Sequence, residues 1–168
     1  MSIQQFIFGY NIRPADAIVV KKENFGILDH YVIYLGIDQF GEHKFIANYA
    51  AGVRFLPMWQ IIQFLKAYVP VRLNRFVGNE IQRQSAVHRA LSRLNENSYN
   101  LILNNCEHFA SWVQNGTPES EQVENFGKAL FFGGALLGLI GLATEDENLT
   151  GVGLLSAALG AVTQNTSR

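Results

Sequence analysis

The 168-residue chain has a single cysteine, Cys106, and this limits how the fold can be held together. One thiol excludes an internal disulfide framework and the common cysteine-rich zinc sites, so the fold must rest on a buried apolar core. The length is sufficient for one domain with such a core. A free thiol is typical of a reducing compartment, and residues 1–10 lack the pattern of a secretory signal, so we expect a cytoplasmic location, with membrane association as a further option.

The residues around Cys106 predict a helix that begins at the thiol. An apolar run, Tyr99 to Leu103, precedes it, and a helix-like segment follows as far as Gly116. A thiol in the first turn of a helix faces the positive end of the helix dipole, which predicts a lowered pKa and a nucleophilic thiolate. The alternative is a buried structural cysteine, but the flanking asparagines and glutamate are unlike the apolar neighbours of a core thiol.

The five residues Asn105 to Phe109 resemble the signature of the lecithin:retinol acyltransferase-like family, which includes small phospholipases and acyltransferases. The resemblance extends to Tyr99–Leu101 before the motif and to Trp112 and Gly116 after it. It implies an α+β fold, a circularly permuted version of the papain-like fold of NlpC peptidases. In that fold an antiparallel sheet packs against the cysteine-bearing helix, and the catalytic histidine precedes the cysteine in the sequence.

The first half of the chain supplies a candidate for that histidine. Asp29 to Gly36 predicts a strand, and the family carries its catalytic histidine at the start of the corresponding segment, so the resemblance assigns the role to His30. Upstream, Asp16 opens a first strand as the aspartate of a Pro-Gly-Asp motif does in the family, with Ala15 in place of the glycine.

A third polar residue is expected on the next strand, where many family members carry a histidine that orients the first. In a hairpin centred on Gln39–Phe40, His43 would pair near Gly36, roughly 20 Å from His30, whereas Asn48 would lie level with His30 or one residue away. An asparagine can accept a hydrogen bond from the second ring nitrogen and fix the tautomer. We therefore predict Asn48, with His43 as the alternative. A one-residue slip would turn Asn48 to the other face of the sheet, and a bulge could restore it.

Three further elements are predicted between these segments: a short amphipathic helix over residues 57–65, a strand over 67–73 and a helix over 79–95. Pro70 restricts the strand to an edge or an irregular position. On the last helix the predicted apolar side consists of Ile81, Val87, Ala90, Leu91 and Leu94, with Arg83, Arg89 and Arg93 elsewhere.

Two ionisable neighbours of the thiol are poor candidates for its base. His108 is two residues from Cys106 on the helix, about 200° around the axis, so the two side chains point to opposite sides. Glu107 is a poor base for the same kind of reason. We expect His108 to be structural and hydrogen-bonded behind the site.

Beyond Pro118 the composition changes to two long uncharged runs, Ala129 to Ala143 and Gly151 to Val162, separated by an acidic segment. Each run is shorter than the about 20 residues of a single membrane span. Small residues recur four apart, as in Gly134/Gly138 and Ser156/Gly160, which predicts two closely packed helices. We predict a catalytic domain over 1–117 and an apolar helical hairpin over 118–168. The hairpin either associates with a membrane through 129–162, docks on the domain or forms a dimer contact.

These features lead to a mechanistic hypothesis in which Cys106 is the nucleophile, His30 the general base and then acid, and Asn48 the residue that orients the ring. The backbone N–H of Cys106 would form part of an oxyanion hole. The resemblance favours a phospholipid or other acyl ester as substrate, and hence a thiol acyl hydrolase or acyltransferase.

Two other classes of protein stay open: a papain-like cysteine peptidase or amidase, and a non-catalytic module that binds a membrane or a partner. Neither a cofactor nor a metal ion is expected. The net charge of −1 gives no reason to expect a nucleic-acid partner.

Overall fold

The computed structural model describes residues 2–20, 29–67, 70–97, 100 and 105–166. The chain divides into two compact units, Met1–Pro118 and Glu119–Arg168. Apart from Asn100, the apolar run predicted before the cysteine lies outside the described residues.

The first unit is an α+β fold with a five-stranded antiparallel sheet. In chain order its elements are α1 (Ile3–Gly9), β1 (Ala17–Val20), β2 (His30–Ile37), β3 (His43–Tyr49), β4 (Gly52–Phe55), α2 (Met58–Ala67), β5 (Pro70–Asn74), α3 (Glu80–Ser92) and α4 (Cys106–Asn115). The strand order across the sheet is β4-β3-β2-β1-β5, so β5, which begins at Pro70, is an edge strand as predicted. Helix α1 was not predicted.

Two helices cover each face of the sheet. Successive strand residues point to opposite faces, so every strand contributes side chains to both buried layers. The cysteine face carries a buried cluster that includes Tyr31 and Ile33 of β2 together with residues of α3 and α4, among them Cys106. The opposite face carries a second cluster, in which Val32 and Tyr34 of β2 pack with residues of α1 and α2.

Helix α3 buries only part of the predicted apolar side: Ala90 is buried and Val87 and Leu94 pack against the core, but Ile81 and Leu91 are exposed. Its buried residues are Arg83, Ala86 and Ala90, whereas Ile81 is exposed. The reason is an ion pair between Arg83 and the buried carboxylate of Asp16, at 3.0 Å, which lets a guanidinium occupy the core side of the helix. Sequence periodicity treats every arginine as a surface residue and therefore missed the burial of Arg83.

Asp16 ties the start of β1 to the segment before α3. Its carboxylate accepts hydrogen bonds from the Phe76 N–H at 3.0 Å and from Arg75 at 2.9 Å, as well as from Arg83. Burial by itself would raise the pKa of Asp16, but these hydrogen bonds outweigh it and lower the pKa. The preceding residue, Ala15, has φ +69°, a conformation that favours glycine and accounts for a glycine at this place in the family motif.

The second unit consists of α5 (Glu121–Thr144) and α6 (Glu147–Thr166), joined by a two-residue turn. The contacts are antiparallel: a Cβ at Gly134 would lie 2.4 Å from the Ala157 nitrogen, and one at Gly160 would lie 2.3 Å from the Phe131 nitrogen. The predicted close packing is therefore confirmed.

The glycines in tightest contact are spaced by seven residues rather than four. They are Gly127, Gly134 and Gly141 on α5 and Gly153 and Gly160 on α6. A Cβ built on the predicted Gly138 would come no closer than 3.8 Å to its neighbours, but the Gly138 backbone lies in the interface, with its nitrogen 2.2 Å from a Cβ built on Gly153. A seven-residue repeat keeps one face of a helix toward its partner over two turns, as in left-handed helix pairs.

The large apolar side chains of this hairpin point outward. Exposed examples on α5 are Phe132, Leu136, Leu139 and Leu142, and on α6 Leu154, Leu155 and Val162. Helix α5 is long and apolar enough to cross a membrane, with a mean hydropathy of 1.7 over 18 residues of which 22% are buried. Its 24 residues span about 36 Å, against about 30 Å for the hydrocarbon core of a bilayer.

Candidate active site

Cys106 is the first residue of α4, as predicted, and the reason is the preceding residue. The side-chain oxygen of Asn105 accepts hydrogen bonds from the backbone N–H groups of Glu107 at 2.9 Å and His108 at 3.0 Å. This N-cap satisfies two donors that the first turn of a helix otherwise leaves unpaired. The cap fixes where α4 begins and so fixes the position of the thiol.

The sulfur of Cys106 lies against the backbone on both sides of His30. The thiol donates a hydrogen bond to the carbonyl oxygen of Asp29 at 3.4 Å, and the backbone N–H of Tyr31 also reaches the sulfur. In a strand, these two groups point to the same edge, while the backbone of His30 faces Val20 of β1. The sulfur therefore occupies the edge of β2 that faces β3.

The described pairing between β2 and β3 ends before the part of β2 that contacts the sulfur. Within the described residues, the pairing runs from Ile37 opposite His43 to Ile33 opposite Ile46, with a bulge between Tyr34 and Gly36. Helix α4 packs on both strands. The N-terminal end of α4 is thus placed where β2 continues past its last pair with β3.

The predicted lowering of the Cys106 pKa is wrong. Burial raises the pKa of the thiol to about 11, and the nearby Glu107 carboxylate adds to the increase. Hydrogen bonds from backbone N–H groups, including those of Tyr31 and Cys106, oppose the shift without cancelling it. The helix terminus acts as expected, but removal of the sulfur from water is the larger effect. The resting form is therefore the thiol, which must lose its proton to a base before or during attack.

His30 begins β2, and its ring is half-buried at the same end of the sheet as Cys106. The ring centroid lies 5.8 Å from that of Tyr49 and 6.1 Å from that of Phe64. Strand alternation places His30 with Val32, on the face opposite to Cys106. The structure therefore brings the backbone of His30 to the sulfur and its ring to Tyr49.

Asn48 is buried in β3, on the cysteine face. It pairs with Val53 of β4, and both Val53 and Ile46 belong to the cluster that contains Cys106. Continuing the register beyond Ile46 puts Asn48 level with Tyr31, one residue from His30. This is the offset that turns the Asn48 side chain to the face opposite to the His30 ring.

His43, the alternative to Asn48, lies at the far end of the sheet. It pairs with Ile37, and its Nδ1 is 2.7 Å from the hydroxyl of Tyr34. Ile37 is eight residues along the strand from Asp29, which corresponds to roughly 26 Å. This position separates His43 from the thiol.

A family model described as lecithin retinol acyltransferase matches residues 10–119, nearly two-thirds of the chain. The chain belongs to the lecithin retinol acyltransferase family. The match includes the whole sheet and α4, and it ends before α5. Membership suggests an enzyme with acyltransferase or phospholipase-like activity. No curated protein sequence matches the chain.

Sequence reasoning missed Tyr49, the last residue of β3. Its hydroxyl is buried and has no hydrogen-bond partner among the described residues. Burial raises the pKa of Tyr49, and the negative charge of a Cys106 thiolate adds to the increase. The Tyr49 ring packs beside those of His30 and Phe64, on the face of the sheet opposite to Cys106. The sequence gives no signal for this unpaired hydroxyl, because an aromatic residue at a strand end is usually part of the core.

His108 is buried as expected, but the predicted hydrogen bond behind the site is wrong. Neither ring nitrogen has a hydrogen-bond partner among the described residues. Burial lowers the pKa of His108, and the neighbouring Glu107 carboxylate only partly opposes that shift. The ring is therefore a neutral core group in the folded protein.

Glu107 is also buried and is engaged on the cysteine face. It accepts a hydrogen bond from the Tyr31 hydroxyl at 2.8 Å, and that hydroxyl accepts one from Arg72 at 2.5 Å. The Glu107 carboxylate therefore holds α4 to β2, in agreement with the prediction that it is a poor base.

One cavity of the first unit is distant from this site. It has a volume of about 930 Å³ and lies between the β2–β3 turn and α3, with Leu35, His43, Phe55 and Leu91 among its lining residues. The described residues hold no group of three or more His, Cys, Asp or Glu side chains that could bind a metal ion.

Proposed function

We propose that this chain is a thiol acyl hydrolase or acyltransferase that acts on lipid esters through a thioester on Cys106. The observation that carries the proposal is the position of the thiol: it begins a capped helix and contacts the backbone on both sides of His30. Membership of a family named for acyl transfer supports the same reaction class. We also propose that the first unit has the permuted papain-like topology, since its histidine strand precedes its cysteine helix.

In the first half-reaction, Cys106 attacks the carbonyl carbon of the ester while its proton passes to the His30 ring. The ring rests on the opposite face of the sheet, so the transfer requires it to turn around the start of β2 toward the sulfur. A carbon–sulfur bond forms, and the carbonyl electrons move to oxygen. When this intermediate collapses, the carbon–oxygen bond of the ester breaks and His30 returns the proton to the alcohol that leaves. The raised pKa of Cys106 makes the base necessary, because little thiolate exists before the substrate binds.

In the second half-reaction, His30 takes a proton from the acceptor, which attacks the thioester and releases Cys106 as the thiol. Water as acceptor gives hydrolysis, and an alcohol or amine gives acyl transfer. Asn48 orients the His30 ring in this proposal. Its burial at this end of the sheet supports that role, which requires the His30 ring to turn to the cysteine face, where the Asn48 side chain lies.

The second unit supplies the contact with the substrate's membrane. Its helices pair through glycines and expose their large apolar side chains, which suits hydrocarbon better than water. The charged residues lie near the helix ends, at Glu121, Glu124 and Lys128 and at Glu145–Glu147. We propose that residues 129–162 insert into a bilayer and keep the first unit, the catalytic domain in this proposal, at a surface rich in phospholipid esters.

A second candidate function is a non-catalytic module that uses the hairpin to bind a membrane. The buried thiol with its raised pKa favours this candidate, because a nucleophilic cysteine usually has a lowered pKa. The two candidates differ in whether Cys106 ever carries an acyl group.

The deciding experiment is intact-mass analysis of the full chain after incubation with short-chain phosphatidylcholine vesicles. Wild type is compared with Cys106→Ala and with His43→Gln, a control at the distant end of the sheet. We expect an added acyl mass on wild type and His43→Gln that hydroxylamine removes, and none on Cys106→Ala.

An adduct that persists in Cys106→Ala would overturn the proposal. If wild type forms no adduct and releases no fatty acid, alkylation of Cys106 by iodoacetamide decides between the remaining classes. A reactive thiol would point to a peptide or amide substrate, and an unreactive one to the binding module.

A further inference from the structure

A chain of hydrogen bonds runs from an arginine on an edge strand to the residue that follows Cys106. Arg72 of β5 donates to the hydroxyl oxygen of Tyr31 at 2.5 Å, and that hydroxyl donates to the Glu107 carboxylate at 2.8 Å. Arg72 is exposed, whereas Tyr31 and Glu107 are buried. A surface cation is thus connected through one phenol to a buried carboxylate beside the proposed nucleophile.

The register of the sheet brings Arg72 and Tyr31 together. Val19 of β1 is paired with Tyr31 of β2 on one side and with Arg72 of β5 on the other, so the three residues form one row across the sheet. Residues in one row point to the same face, and Val19 and Tyr31 belong to the cluster that contains Cys106. The Arg72 guanidinium carbon also lies 5.9 Å from the centre of the Tyr31 ring. The sheet itself therefore fixes the arginine beside the phenol.

The other end of this chain of hydrogen bonds is at the sulfur. Glu107 is joined to Cys106 by a peptide bond in the first turn of α4. Tyr31 is two residues along β2 from Asp29, whose carbonyl oxygen accepts the hydrogen bond of the Cys106 thiol at 3.4 Å. The hydrogen bond between Tyr31 and Glu107 therefore joins helix to strand directly beside the nucleophile.

A carboxylate at this place opposes the chemistry of a nucleophilic thiol. Attack moves negative charge onto the sulfur and then onto the substrate oxygen, and a like charge nearby makes both changes more costly. The Glu107 charge adds to the increase in the pKa of Cys106. Arg72 supplies the opposite charge, and by donating to the Tyr31 oxygen it strengthens the hydrogen bond that Glu107 accepts.

We propose that Arg72 and Tyr31 are positioning residues for Cys106: through the hydrogen bond to Glu107 they offset its charge and hold the first turn of α4 on β2. Neither residue touches the substrate. The inference deepens the proposed acyl transfer and rests on that proposal for the reaction it serves. It requires the charges of Arg72 and Glu107 to act on the sulfur with opposite signs, whereas a purely structural contact would make the loss of either residue harmful.

The rate of Cys106 alkylation by iodoacetamide as a function of pH, followed by intact mass in the full chain, tests the first sign. Arg72→Met removes the charge and keeps a long side chain. We expect alkylation about 3- to 30-fold slower at neutral pH, with the profile moved to higher pH. Arg72→Lys keeps the charge and should recover most of the rate. Arg13→Met is the matched control, because Arg13 pairs with Glu80 at 2.6 Å between exposed side chains, and it should alkylate like wild type.

Glu107→Gln tests the opposite sign. The amide oxygen can still accept from the Tyr31 hydroxyl but carries no charge, so alkylation should be faster than in wild type and its profile should move to lower pH. Arg72→Met should then have little further effect, because the charge through which it acts is gone. The other ionisable side chains of the adjoining segments are the same in every variant: Asp29, His30, Tyr49 and His108.

The outcomes are distinct. Slower alkylation in Arg72→Met with faster alkylation in Glu107→Gln supports the assignment. Slowing in both variants would mean that the contact is only structural, and an undiminished effect of Arg72→Met in the Glu107→Gln background would mean that Arg72 does not act through Glu107. Either result, or wild-type alkylation in Arg72→Met, overturns the assignment.

The rate of acylation by short-chain phosphatidylcholine vesicles separates this inference from the proposed function. Acylation should be slower in Arg72→Met and unchanged in Arg13→Met, as alkylation is. If wild type forms no acyl adduct while the order of the alkylation rates holds, the proposed function fails and the control of the thiol by Arg72 and Tyr31 stands.

Discussion

The first unit of the chain buries its largest apolar side chains, whereas the second unit exposes them. In the first unit, the four largest fully buried side chains are aromatic: Tyr31, Phe6, Phe45 and Phe109. In the hairpin, glycines fill the interface, while Phe132, Leu136 and Leu155 face outward. The first arrangement is stabilised by removing apolar surface from water. The second gains nothing from water in that way, and its stability depends on close backbone packing.

This contrast fits the proposal that the first unit folds in water and the hairpin in a bilayer. The charged residues are spread along the first unit but confined to the helix ends in the second. The following predictions test whether the units obey different packing rules. Trp59 and Trp112 are the chain's two tryptophans, and both lie in the first unit, so tryptophan emission reports on that unit alone.

The largest effect is expected at the glycine interface. Gly134→Leu would drive a side chain into the Ala157 nitrogen and the Gly153 carbonyl oxygen, each within 2.6 Å of a built Cβ. We expect the helices to separate, at a cost above about 3 kcal/mol. Gly133→Leu is the control, since a Cβ at Gly133 has nothing within 4 Å and should be neutral. Helical circular dichroism on thermal unfolding in detergent micelles measures the effect. Equal loss in both variants would contradict the interface.

The next effect concerns the outward face. Leu136→Arg puts a charge at the middle of the longer apolar run, where a bilayer would cost about 3 kcal/mol. We expect binding to phosphatidylcholine vesicles to fall by on the order of 100-fold in a flotation assay. Val77→Arg, at an even more exposed apolar site in the first unit, should bind like wild type. If both variants bind equally well, the hairpin is not the membrane contact.

In the first unit, the strongest backbone constraint is at Gly52, which begins β4 with φ +94°. A Cβ there would lie 2.3 Å from the Glu96 carbonyl oxygen, so Gly52→Ala should destabilise this unit by about 2–3 kcal/mol. Gly41→Ala has a similar φ but open space, and should cost about 1 kcal/mol. Urea unfolding followed by tryptophan emission measures both. Equal costs would mean that only the dihedral angle matters.

The smallest effect is a difference in pH dependence between the units. Burial lowers the pKa of His108, so the unfolded chain takes up a proton at a higher pH than the folded chain does. Stability from the neutral ring is complete well above pH 6.5 and is lost as the pH falls below that value. His43, whose pKa burial also lowers, acts in the same direction.

We therefore expect the first unit to lose stability between pH 7.5 and pH 5.5, as measured by urea unfolding. His108→Leu should reduce this loss, whereas His88→Leu, at an exposed position on α3, should not. The hairpin should unfold alike at both pH values, because its two apolar runs contain no titratable residue. A pH dependence unaffected by His108→Leu would contradict the assignment to that ring.

Local signals in the sequence were enough to locate the main elements. Asn105 is a strong N-cap, so the start of α4 could be predicted, and Pro70 correctly restricted β5 to an edge. Hairpin geometry separated Asn48 from His43, and the structure places His43 with Tyr34, far from the thiol. The catalytic roles of His30 and Asn48 remain predictions.

Properties that arise from tertiary packing could not be predicted. The pKa of Cys106 depends on how deeply α4 buries the sulfur, which no local pattern specifies. The side of α3 that is buried depends on a partner of Arg83 that lies 67 residues away. The unsatisfied hydroxyl of Tyr49 likewise depends on which groups surround it. In the hairpin, four-residue spacing was visible, but only the structure shows which glycines face the partner helix.

The burial of the Cys106 thiol has a consequence for survival of the chain under oxidising conditions. Peroxides attack thiolates, and a pKa of about 11 leaves only about one thiolate in ten thousand molecules at pH 7. The chain has no second cysteine with which a sulfenic acid could condense to an internal disulfide. Because the sulfur stays protonated at rest, it is oxidised slowly, and this protects a thiol that cannot form an internal disulfide.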